Sequence, residues 1–263
     1  MSLRAGVCSD IGGYREVNQD AAFTASWGAG VADGVGGGPA GDLASAALVH
    51  RLISGGPRVA DATALRDRVR EANWDIGAHV RRDPALSGMA TTFTAIWITV
   101  DGRLLVAHTG DSRAYVRRGA ALLRQTRDDS YVQLLVERGM VRAEDAMTHP
   151  RRNIITASLR GDETDAAGVT ERELTLGDRW LVCSDGVSDY LPDDEIAALL
   201  DAELDPHAAA ALVVDAALEA GSRDNVTAVV ADVVPGAPGA ERPVLAGAAA
   251  LRFTEELDDL VAG

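Results

Sequence analysis

The chain has 263 residues, 47% hydrophobic and 25% charged, which indicates a globular protein and argues against collagen-like, disordered and disulfide-scaffold classes. Its formal net charge of −15 argues against a broad basic face, so we expect neither nucleic acid nor a membrane surface as a partner. All 25 basic residues are arginine, which excludes Schiff-base chemistry, GK[ST] phosphate loops and protein-kinase activity, because each of these needs a lysine.

The predicted elements of the first half begin with short β-like runs separated by glycine-rich turns. Leu43, Leu48 and Leu52 then recur at helical spacing, and residues 64–80 form a second amphipathic stretch. Asp101-Gly102 is a strong hairpin signal between two strands. Strands are predicted over residues 91–100, 103–108, 112–116 and 120–123. This alternation indicates a β-meander that follows two helices.

The second half contains a predicted helix over 129–138, a polar excursion without a clean period, and then a mixture of strands and helices. Strands are expected at 180–183 and 226–234, and helices at 193–200 and 207–220. Because the strands cluster in runs joined by hairpin-type turns, we predict an α+β fold, a central sandwich of two antiparallel β-sheets flanked by helices.

The domain organisation follows from a change of composition at Pro235-Gly236. We predict one catalytic domain over residues 1–234 and a linker with a short acidic tail over 235–263. Within that tail, apolar residues fall near helical spacing beside acidic ones, at Phe253, Leu257, Leu260 and Val261. Such a segment either packs against the body of the protein or docks elsewhere, and packing is the more ordinary role.

Cysteine occurs only at Cys8 and Cys183, which is too few for a disulfide framework and lacks the spacing of a zinc site. A reducing compartment is therefore expected. The start of the chain has no signal-peptide core, and no apolar run reaches the roughly 18 residues of a membrane span. These features predict a cytoplasmic protein, and we also expect it to be a monomer.

Several aspartates end a β-like run and precede a turn. They are Asp20, Asp33, Asp185 and Asp224. A carboxylate at the rim of a core costs several kcal/mol unless a cation or hydrogen bonds compensate it. Carboxylates drawn together would repel one another, and oxygen ligands of this kind suit Mg²⁺ or Mn²⁺ better than Zn²⁺. A single Asp-Gly is most often a turn former, but the repetition of this pattern favours a metal site.

Six short motifs follow one another between residues 12 and 234. They are REVNQD (15–20), VADGVGG (31–37), GMATT (88–92), GDSR (110–113), CSDG (183–186) and RDNVT (223–227). In this order they resemble the motif series of metal-dependent serine/threonine protein phosphatases of type 2C, in a bacterial-like form. The resemblance implies hydrolysis of phosphoserine and phosphothreonine in proteins by water activated at two Mn²⁺ or Mg²⁺ ions, which would reverse Ser/Thr kinase signalling.

The resemblance also implies metal roles for particular residues. Asp33 would bridge the two ions, and the carbonyl of Gly34 would bind one of them. Asp185 and Asp224 would complete the other ion, and Asp20 would act through metal-bound water. Water would attack phosphorus directly, so that no Cys or Ser nucleophile is needed.

Further roles follow from the same resemblance. Arg15 would hold the substrate phosphate through its planar guanidinium. Asp128 would bind a weaker third ion, or else cap the following helix, and residues 127–165 would form a flap over the site. Asp111 is assigned to hydrogen bonding of the scaffold. Eukaryotic members carry a His after the bridging Asp-Gly, but this chain has Val35, which leaves water as a candidate general acid.

Three other functions share some of these features. A cysteine-dependent phosphatase needs Cys followed after five residues by Arg, and neither cysteine has it. A two-metal nuclease would share the carboxylates, but the acidic chain offers little to hold a polyanion. A catalytically weak phosphoprotein-binding adaptor with the same fold is the main alternative, and the retention of Asp at every matched metal position argues against it.

Overall fold

The structure is a computed structural model and describes residues 1–35, 40–202, 204–239 and 241–253. The strands, in chain order, are β1 (Ser2–Asp10), β2 (Asp20–Ala25), β3 (Gly28–Asp33), β4 (Phe93–Ile98), β5 (Leu104–Thr109), β6 (Arg113–Arg118), β7 (Ala121–Arg124), β8 (Gly168–Arg172), β9 (Arg179–Cys183), β10 (Val226–Val234) and β11 (Val244–Gly247). The α-helices are α1 (Gly41–Ser54), α2 (Ala62–Arg82), α3 (Tyr131–Glu137), α4 (Asp185–Ser188), α5 (Asp193–Asp201), α6 (Pro206–Glu219) and α7 (Ala248–Leu251).

The strands form two sheets in which every paired neighbour runs antiparallel. One sheet has the order β1-β10-β9-β6-β7, and the other has the order β11-β2-β3-β4-β5-β8. Because successive strand residues point to opposite faces, each sheet buries one face against the other sheet and one against helices. The predicted α+β sandwich of two antiparallel sheets is confirmed.

The core lies in three layers that follow this arrangement. Between the sheets, Val31 and Ile96 of one sheet pack in the same cluster as Trp180 and Val229 of the other. Outside them, α1 packs on β2 and β3 and α2 packs on β5 and β8, while α6 packs on β1 and β10 and α5 on β7. Each Å² of buried apolar surface stabilises the fold by about 25 cal/mol. These three layers therefore hold the strand ends in fixed positions.

The C-terminal part differs from the predicted linker and tail over 235–263. Residues 244–251 form β11 and α7, and β11 pairs with β2 in register, with Gly247 opposite Ala21. Ala248 and Ala249 are buried in the core beside α1. The predicted tail residues Leu257, Leu260 and Val261 lie outside the described residues. Where the catalytic domain ends stays a prediction.

The helix predicted over 129–138 is shorter, because Asp129 is held by other bonds. Its amide donates to the carbonyl of Gly110 at 2.7 Å, and Ser130 acts as the N-cap by accepting from the amide of Gln133 at 3.2 Å. Of the helices in the described part of the chain, none combines the length and the apolar character that crossing a membrane requires.

Candidate active site

The aspartates singled out in the sequence lie at one end of the sandwich, where strands of both sheets terminate. Asp20 begins β2 and Asp33 ends β3, and the two face each other in the strand register. Asp185 begins α4 after β9, while Asp224 lies just before β10. The four residues therefore come from both sheets, which the interlayer core holds together.

Asp20 joins the two sheets directly. Its side chain is buried, with 1% exposure, and its Oδ2 accepts a hydrogen bond of 2.8 Å from the hydroxyl of Ser184, in the other sheet's β9–α4 connection. Ser184 also accepts from the amide of Thr227 at 3.0 Å. The Oδ1 atom of Asp20 is buried without a hydrogen-bond partner among the described residues, so one acceptor remains available for a cation.

The GMATT motif holds the backbone of Asp33 in place. The amide of Thr92 donates to the carbonyl of Asp33 at 2.8 Å, and the Thr91 hydroxyl donates to the same carbonyl at 3.0 Å. In return, the Asp33 amide donates to the Thr92 hydroxyl at 3.1 Å. The carboxylate is thus fixed through its main chain, which leaves both side-chain oxygens for other contacts.

Gly34 lies where the backbone passes too close to other segments for a side chain. A Cβ there would lie 2.3 Å from the carbonyl oxygen of Gly41 and 2.8 Å from that of Gln19. The Gly34 amide donates to the Gln19 carbonyl at 3.1 Å. Glycine at this position lets the loop that follows Asp33 approach the start of β2. The Gly34 carbonyl, which is the predicted metal ligand, is placed there with it.

Asp185 is positioned by a similarly tight contact. A Cβ on Gly186 would lie 2.0 Å from the carbonyl oxygen of Asn225, so the start of α4 rests on the backbone that precedes β10. The Oδ1 atom of Asp185 is buried and has no hydrogen-bond partner among the described residues. Uncompensated buried carboxylate oxygens are costly, and this is the second such atom at the site.

Asn225 ties the loop that carries Arg15 to the start of β10. Its Oδ1 accepts from the amide of Gln19 at 2.8 Å, and its Nδ2 donates to the carbonyls of Ile11 and Val17 at 2.9 and 3.0 Å. Arg15 itself donates from Nη2 to Oδ2 of Asp224 at 2.6 Å. Asn225 belongs to the RDNVT motif, in which the sequence indicated no role for it, and the structure identifies it as a positioning residue.

Crowding of carboxylates dominates the electrostatics. Burial raises the pKa of Asp20 to about 6, although the nearby hydroxyls of Thr227 and Ser184 act in the opposite direction. Burial and the charges of Asp20 and Asp185 raise the pKa of Asp33 well above its usual value. Burial and the charges of Asp111 and Asp189 do the same to the pKa of Asp185. A group of acids with raised pKa values at strand ends is a typical functional site.

The structure adds Asp111 to this group, although the family resemblance assigns it to the scaffold. It is 8% exposed, and burial with the charges of Asp128 and Asp189 raises its pKa to about 7. Its charge in turn raises the pKa of Asp33 and of Asp185. The sequence could have indicated this role, because Asp111 in the GDSR motif also follows a predicted strand and a glycine.

Asp128, the predicted ligand of a third ion, lies in a cluster of arginines. Arg113 donates to both of its carboxylate oxygens, from Nη2 at 2.7 Å and from Nε at 3.1 Å, and Arg124 donates to Oδ1. The side chains of Arg113 and Asp128 are 13% and 8% exposed. The capping role belongs to Ser130 instead.

Residues 127–165, the predicted flap, line a cavity of about 280 Å³ together with this cluster. The cavity is lined by Asp111 and Asp189 from the body and by Val132 and Met147 from the flap segment. At its far end the flap is anchored, because Asn73 of α2 accepts from the amide of Gly161 at 2.8 Å and donates to the carbonyl of Asp162 at 2.9 Å. The cavity is partly open, and its polar lining mixes acids with arginines, Arg113 and Arg152 among them.

The donor set suits hard divalent cations. The available oxygens are carboxylates and a backbone carbonyl, and two buried carboxylate oxygens lack partners among the described residues, which fits Mg²⁺ or Mn²⁺. Within the part of the chain that the structure describes, no three His, Cys, Asp or Glu side chains are close enough to ligate one ion together. Arg15 holds one of the acids, Asp224, through its hydrogen bond.

The sequence and the structure were compared with those of known proteins, and the relatives found are metal-dependent phosphatases or phosphatases of the same family. The sequence profile of the family described as "Protein phosphatase 2C" matches residues 14–220. The chain is 40% identical over 252 residues to the serine/threonine protein phosphatase PstP of Mycobacterium tuberculosis, covering 94% of this chain and 48% of that protein. It thus spans about half the length of the first relatives that it matches.

Two further comparisons cover more of the relative. The serine/threonine phosphatase stp of Listeria monocytogenes is 32% identical over 210 residues, which are 77% of this chain and 82% of that protein. The crystal structure of the PstP catalytic domain in complex with two manganese ions superposes with a TM-score of 0.82 at 38% identity, over 89% of this chain and 99% of that one. The similarity therefore extends from sequence motifs to the whole sandwich.

Proposed function

Because this chain belongs to the protein phosphatase 2C family, we propose that it hydrolyses phosphoserine and phosphothreonine in proteins with two divalent cations, Mn²⁺ or Mg²⁺. One observation carries the proposal. Asp20 and Asp185, which come from different sheets, each place a buried carboxylate oxygen without a hydrogen-bond partner among the described residues at the same end of the molecule. A pair of hard cations compensates charges placed in this way.

We assign the metal-holding roles to the residues predicted from the sequence. Asp33 would hold both ions, the Gly34 carbonyl one of them, and Asp185 and Asp224 the other, with Asp20 acting through water. The three carboxylates of the second ion would have to draw closer than they lie in the structure, where Arg15 holds Asp224. The backbone bonds to Asp33 and the tight contact at Gly186 support these roles, because they fix the carboxylates without using their oxygens. When bound, the ions supply Lewis-acid activation of water and offset charge on the phosphoryl oxygens.

The other steps belong to residues of the chain. Arg15 would bind the substrate phosphate, and its position beside Asp224 keeps the guanidinium at the rim of the site. In the reaction, the bond between phosphorus and the Ser or Thr oxygen breaks, and a bond to the water oxygen forms. With Val35 in place of His, the proton for the leaving oxygen would come from solvent. The products are inorganic phosphate and a free hydroxyl group.

Two residues are candidate ligands of a weaker third ion. The sequence prediction is Asp128, but Arg113 and Arg124 already donate to its oxygens. Asp111 accepts no arginine hydrogen bond among the described residues and lies close enough to Asp185 to raise its pKa. The electrostatics therefore favour Asp111 for this role.

We also propose that the substrates are phosphoproteins produced by Ser/Thr kinases and that the chain acts as a monomer in the cytoplasm. Free cysteines support a reducing compartment, since Cys8 and Cys183 are unpaired in the structure. The acidic composition supports protein rather than nucleic acid as the substrate class.

The test is release of inorganic phosphate from a phosphothreonine peptide in Mn²⁺, with and without chelator, by the wild-type chain and by Asp185→Asn. We expect release that depends on the metal and is lost in the variant. Peptide binding without release in either condition would instead identify an adaptor. Cleavage of plasmid DNA in Mn²⁺ with no phosphate release would identify a nuclease.

A further inference from the structure

A groove of about 700 Å³ lies between α1 and α2, on the helical face of the molecule. We call it the α1–α2 groove. Its apolar lining includes Ala47 and Ile53 of α1, Ala78 of α2 and Leu245 of β11. None of the site aspartates lines it. The α1–α2 groove is therefore separate from the candidate active site. Binding of a segment in the groove does not depend on phosphatase activity.

The rim of the α1–α2 groove is cationic, although the chain as a whole is strongly acidic. Arg51, Arg82 and Arg242 line it together with His50, His79 and one acid, Asp75. Arg51 is paired with Glu71 and Asp75 at 3.3 Å each. Arg82 and Arg242 are exposed and form no ion pair with any residue in the described ranges. The rim thus offers two arginines that an acidic group can reach.

The chain itself arrives at this groove. The ring of Phe253, another lining residue, lies with its centroid 5.3 Å from that of His50 and 6.4 Å from that of His79. The preceding Arg252 is anchored by a hydrogen bond of 2.7 Å from Nε to Oδ2 of Asp42. The last described residue therefore lies within the α1–α2 groove.

Residues 254–263, which we call the acidic tail, have the composition that complements the groove. They contain four acids, Glu255, Glu256, Asp258 and Asp259, and no basic residue. Three large apolar side chains, Leu257, Leu260 and Val261, accompany them. Acids would face the arginines of the rim, and leucines would cover the apolar lining.

We propose that the acidic tail docks in the α1–α2 groove of its own chain. Leu257 and Leu260 would contact the apolar lining, and the acidic side chains would pair with Arg82 and Arg242. Because the tail begins directly after Phe253, docking is intramolecular and benefits from a high effective concentration, about millimolar for a short connection. Exposed ion pairs are weak and screened by salt, so docking should be reversible and salt-sensitive.

The test is disulfide trapping in the whole chain with Cys8 replaced by Ser, since Cys183 is buried. One variant carries Leu257→Cys with Ala78→Cys in the groove. The control carries Leu257→Cys with Glu219→Cys, which is exposed on α6 against the other sheet. We expect an intramolecular disulfide to form at least about tenfold faster in the first variant than in the control, at equal melting temperatures.

Charge variants make the test specific. Replacing the four acids of the tail by Gln and Asn, or Arg82 and Arg242 both by Gln, should slow trapping several-fold, as should high salt. Equal trapping rates at Ala78→Cys and Glu219→Cys would overturn the proposal. So would disulfides found only between two chains, which would make the groove an interface with a second copy. A nitroxide on Leu257→Cys gives a second measurement, because docking requires broadening of the α1 and α2 amide signals.

Discussion

Asp20 and Asp33 face each other directly across the antiparallel β2–β3 pair. Residues in such a pair have Cβ atoms about 4.5–5.5 Å apart, and like charges in that position destabilise a sheet. Here the pair begins one strand and ends the other, and Asp185 adds a third charge that raises the pKa of Asp33. The electrostatic repulsion between buried carboxylates is therefore concentrated at one end of the sandwich.

Removing the charge of Asp33 should lower activity but increase the stability of the metal-free chain. Asp33→Asn is expected to lower metal-dependent phosphate release by at least about a hundredfold, because the proposed bridging ligand is lost. It should also raise the melting temperature in chelator, because a repelling buried charge disappears. Phosphate release and thermal unfolding of the same preparation measure both effects. A variant that is inactive because it unfolds would contradict the assignment.

Stability of the metal-free chain should fall as pH rises. The pKa of Asp20 is raised from 3.8 to about 6, and the pKa values of Asp33 and Asp185 are raised well above the usual value. An acid whose folded pKa exceeds its unfolded value stabilises the fold below the unfolded value and loses this contribution as pH rises through the folded value, by about 1.4 kcal/mol per pKa unit. Melting in chelator between about pH 4 and pH 8 measures it.

Asp33→Asn is the control for this pH dependence, and its melting temperature should fall less over the same range. Saturating Mn²⁺ should reverse the trend, because protons compete with the ions for the same oxygens. A wild-type melting temperature in chelator that rises steadily through this range would show that these acids are not desolvated in the folded chain.

Arg15→Ala should act mainly on substrate binding. Arg15 is the proposed phosphate ligand, and its planar fork matches phosphate better than a lysine does. We expect the KM for a phosphothreonine peptide to rise about tenfold or more with a smaller change in kcat, and Arg15→Lys to recover only part of the loss. Its ion pair with Asp224 is partly exposed, so the fold should remain. An unchanged KM would refute the role.

Asp128→Asn should be a stability variant. It leaves Arg113, with 13% side-chain exposure, without its charged partner, and breaking a buried pair in this way costs about 3–5 kcal/mol. Glu137→Gln is the matched control, since it removes an exposed pair with Arg127 and should leave the melting temperature unchanged. If Asp128→Asn instead weakened only the last Mn²⁺ binding step, with melting unaltered, the third-ion role predicted from sequence would be supported.

Gly186→Ala should disturb both the fold and the metal site. The added methyl group would lie 2.0 Å from the carbonyl of Asn225, and overpacking of this kind costs about 1–3 kcal/mol. Because Asp185 is adjacent, we also expect weaker Mn²⁺ binding by calorimetry. Gly13→Ala is the control, because a Cβ there meets no atom within 4 Å. Wild-type behaviour of both variants would mean that α4 does not rest on this backbone.

The sequence predicted the sandwich and the family because local signals were strong where the strands end. The hairpin at Asp101-Gly102 is a turn in the structure, and strand-Asp-Gly units mark the ends of β3 and β9. Each of these signals lies within a few residues and needs no knowledge of distant contacts. The metal roles of the aspartates stay predictions.

The remaining features depend on partners far apart in the chain. Arg15 and Asp224 are separated by 209 residues, and the three side-chain bonds of Asn225 to the Arg15 loop span more than 200 residues. The local spacing of hydrophobic residues carries no information about contacts between residues so far apart in the chain. The strand β11 was missed for a related reason, because a four-residue run after Pro243 acquires its structure only by pairing with β2.

Every strand that delivers a site aspartate has a neighbour on both sides. β2 lies between β11 and β3, β9 between β10 and β6, and β10 between β1 and β9. Interior strands exchange their amide hydrogens mostly through global unfolding, whereas surface segments open locally at much lower free energy. Amides of these strands should therefore exchange slowest, and the scaffold of the carboxylates should stay folded while surface segments of the molecule open locally.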